Sequence, residues 1–170
     1  EVQKEGQAQF ESALEQFKAT IDFDGGGLEK AYNLFNDEYE DSEDAAKAIS
    51  AHIASVENVA DALFEEWSDE LDLYTSPSLR RASERQYMAT QKKYRRLLAS
   101  MQRVEDSMQP VLATMRDNVL FLKHNLKARA IDALKGELGN INRDVSTLVK
   151  NMQRSIQESE AFITTLKAER

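Results

Sequence analysis

Apolar residues recur at alternating steps of four and three along almost all of this chain, and that period decides what it can fold into. From Leu28 the series runs Leu28, Tyr32, Phe35, Tyr39, Ser42, Ala46, Ile49, Ile53, Val56, Ala60, Leu63 and Trp67. So long a run of one period puts these side chains on a single stripe of a long α-helix, which must bury that stripe against other helices. The spacing returns in Tyr87, Thr90, Tyr94, Leu97, Met101, Val104, Met108, Val111, Met115, Asn118 and Leu122. A third stripe holds Ile131, Leu134, Leu138, Ile141, Val145, Leu148 and Met152, then drifts to Ile156 and Ile163. Near the start, Phe10, Ala13, Phe17 and Ile21 make a shorter one.

Breaks are few: "DFDGGG" at 22–27, "TSPS" at 75–78 and a softer "KHNLKA" at 123–128. They predict four helices, about 2–21, 28–74, 78–124 and 127–167, in one helical-bundle domain over residues 1–170. The expected fold class is all-α, an elongated antiparallel helical bundle or coiled coil. Helices 2 and 3, each about 70 Å long at 1.5 Å per residue, form a hairpin. Helix 4 lies back along them, and the short N-terminal helix covers one end. At the softer break Lys123 and His124 suit a helix C-terminus, and Asn125 suits a left-handed residue that ends one. The alternative there is one continuous helix through 123–128. Pro110, inside the third helix, is expected to kink or interrupt it. Gly136 and Gly139 each weaken the fourth helix by about 1 kcal/mol relative to Ala.

Charge supports the hairpin. The second helix carries fourteen acids and two bases, whereas residues 75–126 carry ten bases and four acids. Folding about "TSPS" pairs positions whose numbers add to roughly 151 and sets Glu57, Asp61, Glu65, Glu66, Asp69 and Glu70 against Arg81, Arg85, Lys92 and Lys93. Ion pairs there are expected to select the partner helix and its direction, each contributing about 0.2–1 kcal/mol. The formal net charge of -8 argues against nucleic acid as a partner, because phosphate neutralisation needs a basic surface. With no cysteine there are no disulfides and no thiolate chemistry. No apolar run approaches the roughly 20 residues needed to cross a bilayer.

The chain is chemically quiet. His52 and His124 lie far apart, and neither has an acid at i+3 or i+4. There is no HExxH, no Glu-x-x-His and no GxxxxGK, so no enzyme and no cofactor is expected. "DFDGGG" fails as an EF-hand, because the twelfth position from Asp22 is Asn33, and instead suits a sharp reversal. "KKYRRLL" at 92–98 places Tyr94 on the stripe, "SLRRASE" only resembles a phosphorylation motif, and Met101, Met108, Met115 and Trp67 read as core. The one dense cluster is "NDEYEDSEDAA" at 36–46. There Asp37, Glu40, Asp41 and Asp44 share a helix face at i, i+3, i+4 and i+7, which makes them either a solvated face or a weak divalent-cation site of hard oxygen ligands. Tyr74, Leu98, Leu112, Val119 and Phe121 fall off the main stripes and suggest a homo-oligomer.

Several stretches together, "FDGG", "NDEYEDSEDAA", "VADALFEEW", "SLRRASERQ", "VLFLKHNLKARAI" and "LKGEL", resemble the bacterial family of the domain of unknown function 2959. The resemblance covers nearly the whole chain. It implies a helical, coiled-coil protein on the periplasmic side of the cell envelope, held to the membrane only through a lipid anchor outside this chain. It carries no established active site. The expected function is that of a non-enzymatic structural or scaffold protein of the bacterial envelope with a protein partner. The alternative is a helical module that binds a ligand or lipid in its apolar interior.

Overall fold

The helical period is realised in full. The computed structural model describes residues 1–22 and 27–168, which form α1 (Val2–Ile21), α2 (Leu28–Leu71), α3 (Pro77–His124) and α4 (Ala128–Ala168), with no strand among the described residues. The segment 23–26, most of the "DFDGGG" reversal, lies outside them. Gly27 caps α2 at φ 108°, a left-handed backbone that glycine adopts without steric cost.

The other two connections follow from local chemistry. Helix α2 ends at Leu71, short of the expected residue 74. The N–H groups of Asp72 and Leu73 tighten onto the carbonyls of Asp69 and Glu70 at 3.2 and 3.0 Å. That satisfies terminal acceptors and leaves Ser76 in the extended conformation a following proline favours. Ser76 Oγ then accepts from the Leu79 N–H at 3.4 Å, and Pro77 opens α3 where its absent N–H is not needed. At the far end α3 stops at His124, so 123–128 is a turn and not a continuous helix. Asn125 is not left-handed as expected: φ is -136° and ψ 61°, and its side-chain amide donates to the Phe121 carbonyl at 2.9 Å. That bond supplies the cap a left-handed residue would otherwise provide. Pro110 does not interrupt α3. It is exposed, as is Asp106, whose carbonyl loses its donor, so the break in the hydrogen-bond ladder falls on the solvent side while Met108 and Val111 stay buried.

The helices run up, down, up and down, with α1 against α2, α2 against α3, α3 against α4 and α4 against α1. Cross-helix bonds fix the registers. Asp72 meets Arg80 and Ser50 meets Glu105 between α2 and α3, while Asn151 meets Ser107 and Lys93 meets Thr165 between α3 and α4. One core cluster runs through the part enclosed by all four helices, with Phe10, Phe17, Phe35, Ile49, Met108 and Leu148 among its fully buried members. Met101, Met108 and Met115 are each 1% exposed, which makes the methionine stripe core.

Two expectations change. The facing charges on α2 and α3 do not pair along the hairpin: among the described residues Arg80–Asp72, at 3.3 Å, is the one ion pair between them. The apolar seam, with few polar contacts, brings the helices together, and most of the charged side chains are exposed to solvent. Of the off-stripe residues, Val119 is buried and Leu98 and Leu112 pack on the core, because α1 and α4 together cover more of the hairpin than one added helix would. Tyr74 and Phe121 stay exposed. Gly136 and Gly139 have open space where a Cβ would stand. Gly136→Ala and Gly139→Ala are each expected to stabilise the protein by about 0.5–1 kcal/mol, read as a higher urea midpoint.

Candidate functional site: an apolar groove beyond the first helix

The four helices differ in length, and the shortfall is all in α1. Its early turns meet the rest of the bundle at Gly6, which lies against Ile49 of α2 and Met152 of α4. Its first residues reach a little further, with Val2 on the core and Lys4 paired with Glu160 of α4 at 3.4 Å, and past them α2, α3 and α4 continue without it. The slot α1 fills above stays open below as a groove of about 300 Å³. Helix α2 forms one wall with His52, Ser55, Val56, Val59, Ala60 and Leu63. Helix α4 forms the other with Ser159, Phe162, Ile163 and Leu166, and Leu97 and Met101 of α3 make the floor. His52 is the one titratable lining residue. One turn above Ser159, Ser155 Oγ is buried without a hydrogen-bond partner, as is Gln3 Oε1 on α1. The boundary between filled and empty halves is therefore also where packing leaves polar groups unmet.

The groove changes which residues are core. On α2 the heptad stripe puts Leu63 inside, but burial passes from Ala60 to Phe64 and Leu71, leaving Leu63 at 36% and Val59 at 68% exposure. On α4 the stripe ends in Ile163, which is 50% exposed, while Phe162 packs on Tyr94. With only α3 to pack on, each stripe narrows to its α3-facing edge, and Phe64 with Tyr87, Tyr94 and Trp67 forms a second, aromatic cluster. Trp67 is half-buried there, its indole N–H donating to Ser83 Oγ at 3.1 Å.

The acidic run lies on the other side of the α1 boundary. Helix α2 is continuous across it, and Asp37, Glu40, Asp41 and Asp44 are all exposed. No group of three or more acids or histidines converges on a metal-holding geometry among the described residues. Of these four, Glu40 accepts from the Asn36 side-chain amide one turn earlier at 3.3 Å, and the acids that reach other groups are ones the face argument left out. Glu38 accepts from Gln9 at 2.8 Å and Ser12 at 3.1 Å, both on α1, and the carbonyl of Glu38 accepts from buried Ser42. Glu43 accepts from the Tyr39 hydroxyl. Glu38 therefore ties α1 to α2, Glu43 bonds within α2, and the outer members of the run stay in solvent. His52 and His124 are not brought together: one lines the groove, the other ends α3 at the opposite end of the bundle.

Burial, then the hydrogen bond to Glu43 and its charge, push the Tyr39 hydroxyl up to about 12 from an ordinary 10, against a smaller opposing effect of Arg116. The folded state thus holds this proton more tightly than the unfolded chain does. The associated stability is complete below pH 10 and is lost as pH rises toward 12. Tyr39→Phe is expected to flatten the loss of urea resistance across that window. Parallel curves for the two proteins would show that Tyr39 does not drive it.

No curated protein matches this chain, and no solved structure does. A family model described as "Protein of unknown function (DUF2959)" matches residues 1–166, and the chain belongs to that family.

Proposed function

We propose that this is a non-enzymatic interaction protein whose groove between α2 and α4 receives an amphipathic helix of a protein partner. The observation that carries the reading is continuity: the groove prolongs the slot in which α1 already lies, so it has the width and the apolar floor of a helix site. From His52 to Leu63 it is about 16 Å long, room for roughly eleven residues of helix. Such a ligand presents apolar anchors at i, i+3/i+4, i+7 and i+11. Glu66, one turn beyond Leu63, and Glu158, beside Ser159, give the rim negative charge, so basic flanks suit the ligand. A cell-envelope location and attachment through a lipid anchor outside residues 1–170 belong to the same proposal on family resemblance alone.

A synthetic helical peptide of about fifteen residues with those anchors and lysine flanks tests it by calorimetric titration, alongside a long-chain fatty acid. The peptide is expected to bind, and Leu63→Glu and Ile163→Glu to abolish binding while preserving helicity, since both side chains are partly exposed. Fatty-acid binding lost in the same variants, with no peptide binding, would overturn this reading in favour of a lipid-binding module.

A further inference from the structure

The face of the α2–α3 hairpin turned away from α4 is a second surface. Helix α4 meets α3 on the side of Lys93 and Ser107, and the groove takes the side of α2 that holds Val59 and Leu63. Helical spacing puts Asp61, Glu65, Asp69 and Asp72 together on the opposite side of α2, at i, i+4, i+8 and i+11. On the matching side of α3 it puts Arg81, Arg85, Met88, Lys92 and Arg95. All nine are exposed, Met88 at 63%. The back of the hairpin is thus an acidic stripe beside a basic stripe, and among the described residues Arg80–Asp72 is the only ion pair that joins the two helices.

We propose that a second copy of this chain docks on this face, about a two-fold axis parallel to the helices, with the acidic stripe of α2 in each copy lying over the basic stripe of α3 in the other. Symmetry selects the arrangement. A two-fold axis lying in the contact plane but across the helices would stack acid on acid and base on base, whereas an axis along the helices crosses the unlike stripes twice, on one self-complementary patch. The contact encloses Met88 and turns the hairpin into four helices over the stretch that α1 leaves uncovered. Because its attraction is between solvent-facing charges, it weakens as salt rises.

Sedimentation velocity of the full chain tests it at low salt and in about 0.5 M salt. A dimer at low salt whose dissociation constant rises at least about tenfold in high salt is expected. Asp61→Lys/Glu65→Lys/Asp69→Lys makes both stripes basic, and Arg81→Glu/Arg85→Glu/Arg95→Glu makes both acidic. Each variant alone is expected to be a helical monomer, and an equimolar mixture to restore the dimer. A monomeric wild type at low salt, a dimer that either swap leaves intact, or a mixture that stays monomeric although both variants keep their helicity would overturn the proposal. Peptide binding in the groove, on the opposite side of α2, is unaffected by either swap, so the two readings fail separately.

Discussion

Phe17→Ala is expected to remove about 3–5 kcal/mol of stability and to release α1 before the rest of the bundle. Phe17 and its partner Phe35 are both 0% exposed, with ring centroids 5.4 Å apart and planes tilted by 54°. The contact lies near the closed end of the bundle, where α1 is attached through Phe10, Ala13, Phe17 and Ile21. Removing the ring forfeits its transfer from water, leaves a cavity between close-packed helices and deletes an aromatic pair of about 0.5–1.5 kcal/mol. Urea denaturation gives the total, and hydrogen exchange gives its distribution, with α1 amides losing the most protection. In Phe17→Ala/Phe35→Ala the second change should cost about 1 kcal/mol less than it does alone. A loss below about 1 kcal/mol for the single change would mean that α1 is not held by this seam.

Gly6→Leu is the second large effect, on the order of 3 kcal/mol, from overfilling instead of emptying. A Cβ at residue 6 would collide with Ile49 Cδ1 and sit 3.3 Å from Ile49 Cγ1 and 3.8 Å from Met152 Cε. Glycine lets α1 approach α2 and α4 closely here, about one turn from the start of the helix. Leucine must displace Ile49, which is fully buried, or lift the early turns of α1. Gly6→Ala should be near neutral, because its gain in helix propensity of about 1 kcal/mol opposes a shift confined to the end of one side chain. Pairing Gly6→Leu with Ile49→Ala should recover part of the loss. If the pair is as unstable as the sum of its single changes, the collision with Ile49 is not the cause.

The sequence foretold α3 almost residue by residue: Thr90 through Leu122 on its stripe are all buried, because α3 packs against both α2 and α4. The same period misplaced Leu63 and Ile163. A heptad says which face of a helix is apolar, not how many neighbours cover it, and coverage there depends on where α1 stops. The readable signal was Phe64 and Leu71 joining Ala60 at steps of four and seven beside Leu63, an apolar face wider than one contact needs. The acidic run was legible as a cluster, but the role of Glu38 depends on how α1 lies on α2, which a single helical wheel does not contain, whereas the Tyr39–Glu43 bond is an i, i+4 pair within α2. The charge stripes were read correctly as opposite in sign and expected to pair, yet side chains directed past the seam stay apart while the seam itself is satisfied.

The central claim, that the chain holds an open helix site beyond the start of α1, is tested most directly by methionines spaced along one stripe of α3. Met101, Met108 and Met115 all belong to the core cluster, but Met101 also lines the groove floor, whereas Met108 and Met115, one and two heptads away, do not. With the methionine methyls carbon-13 labelled, titration of the lysine-flanked helical peptide should shift the Met101 signal and leave Met108 and Met115 in place. A Met101 signal that does not move, or three signals that move together, would contradict the account.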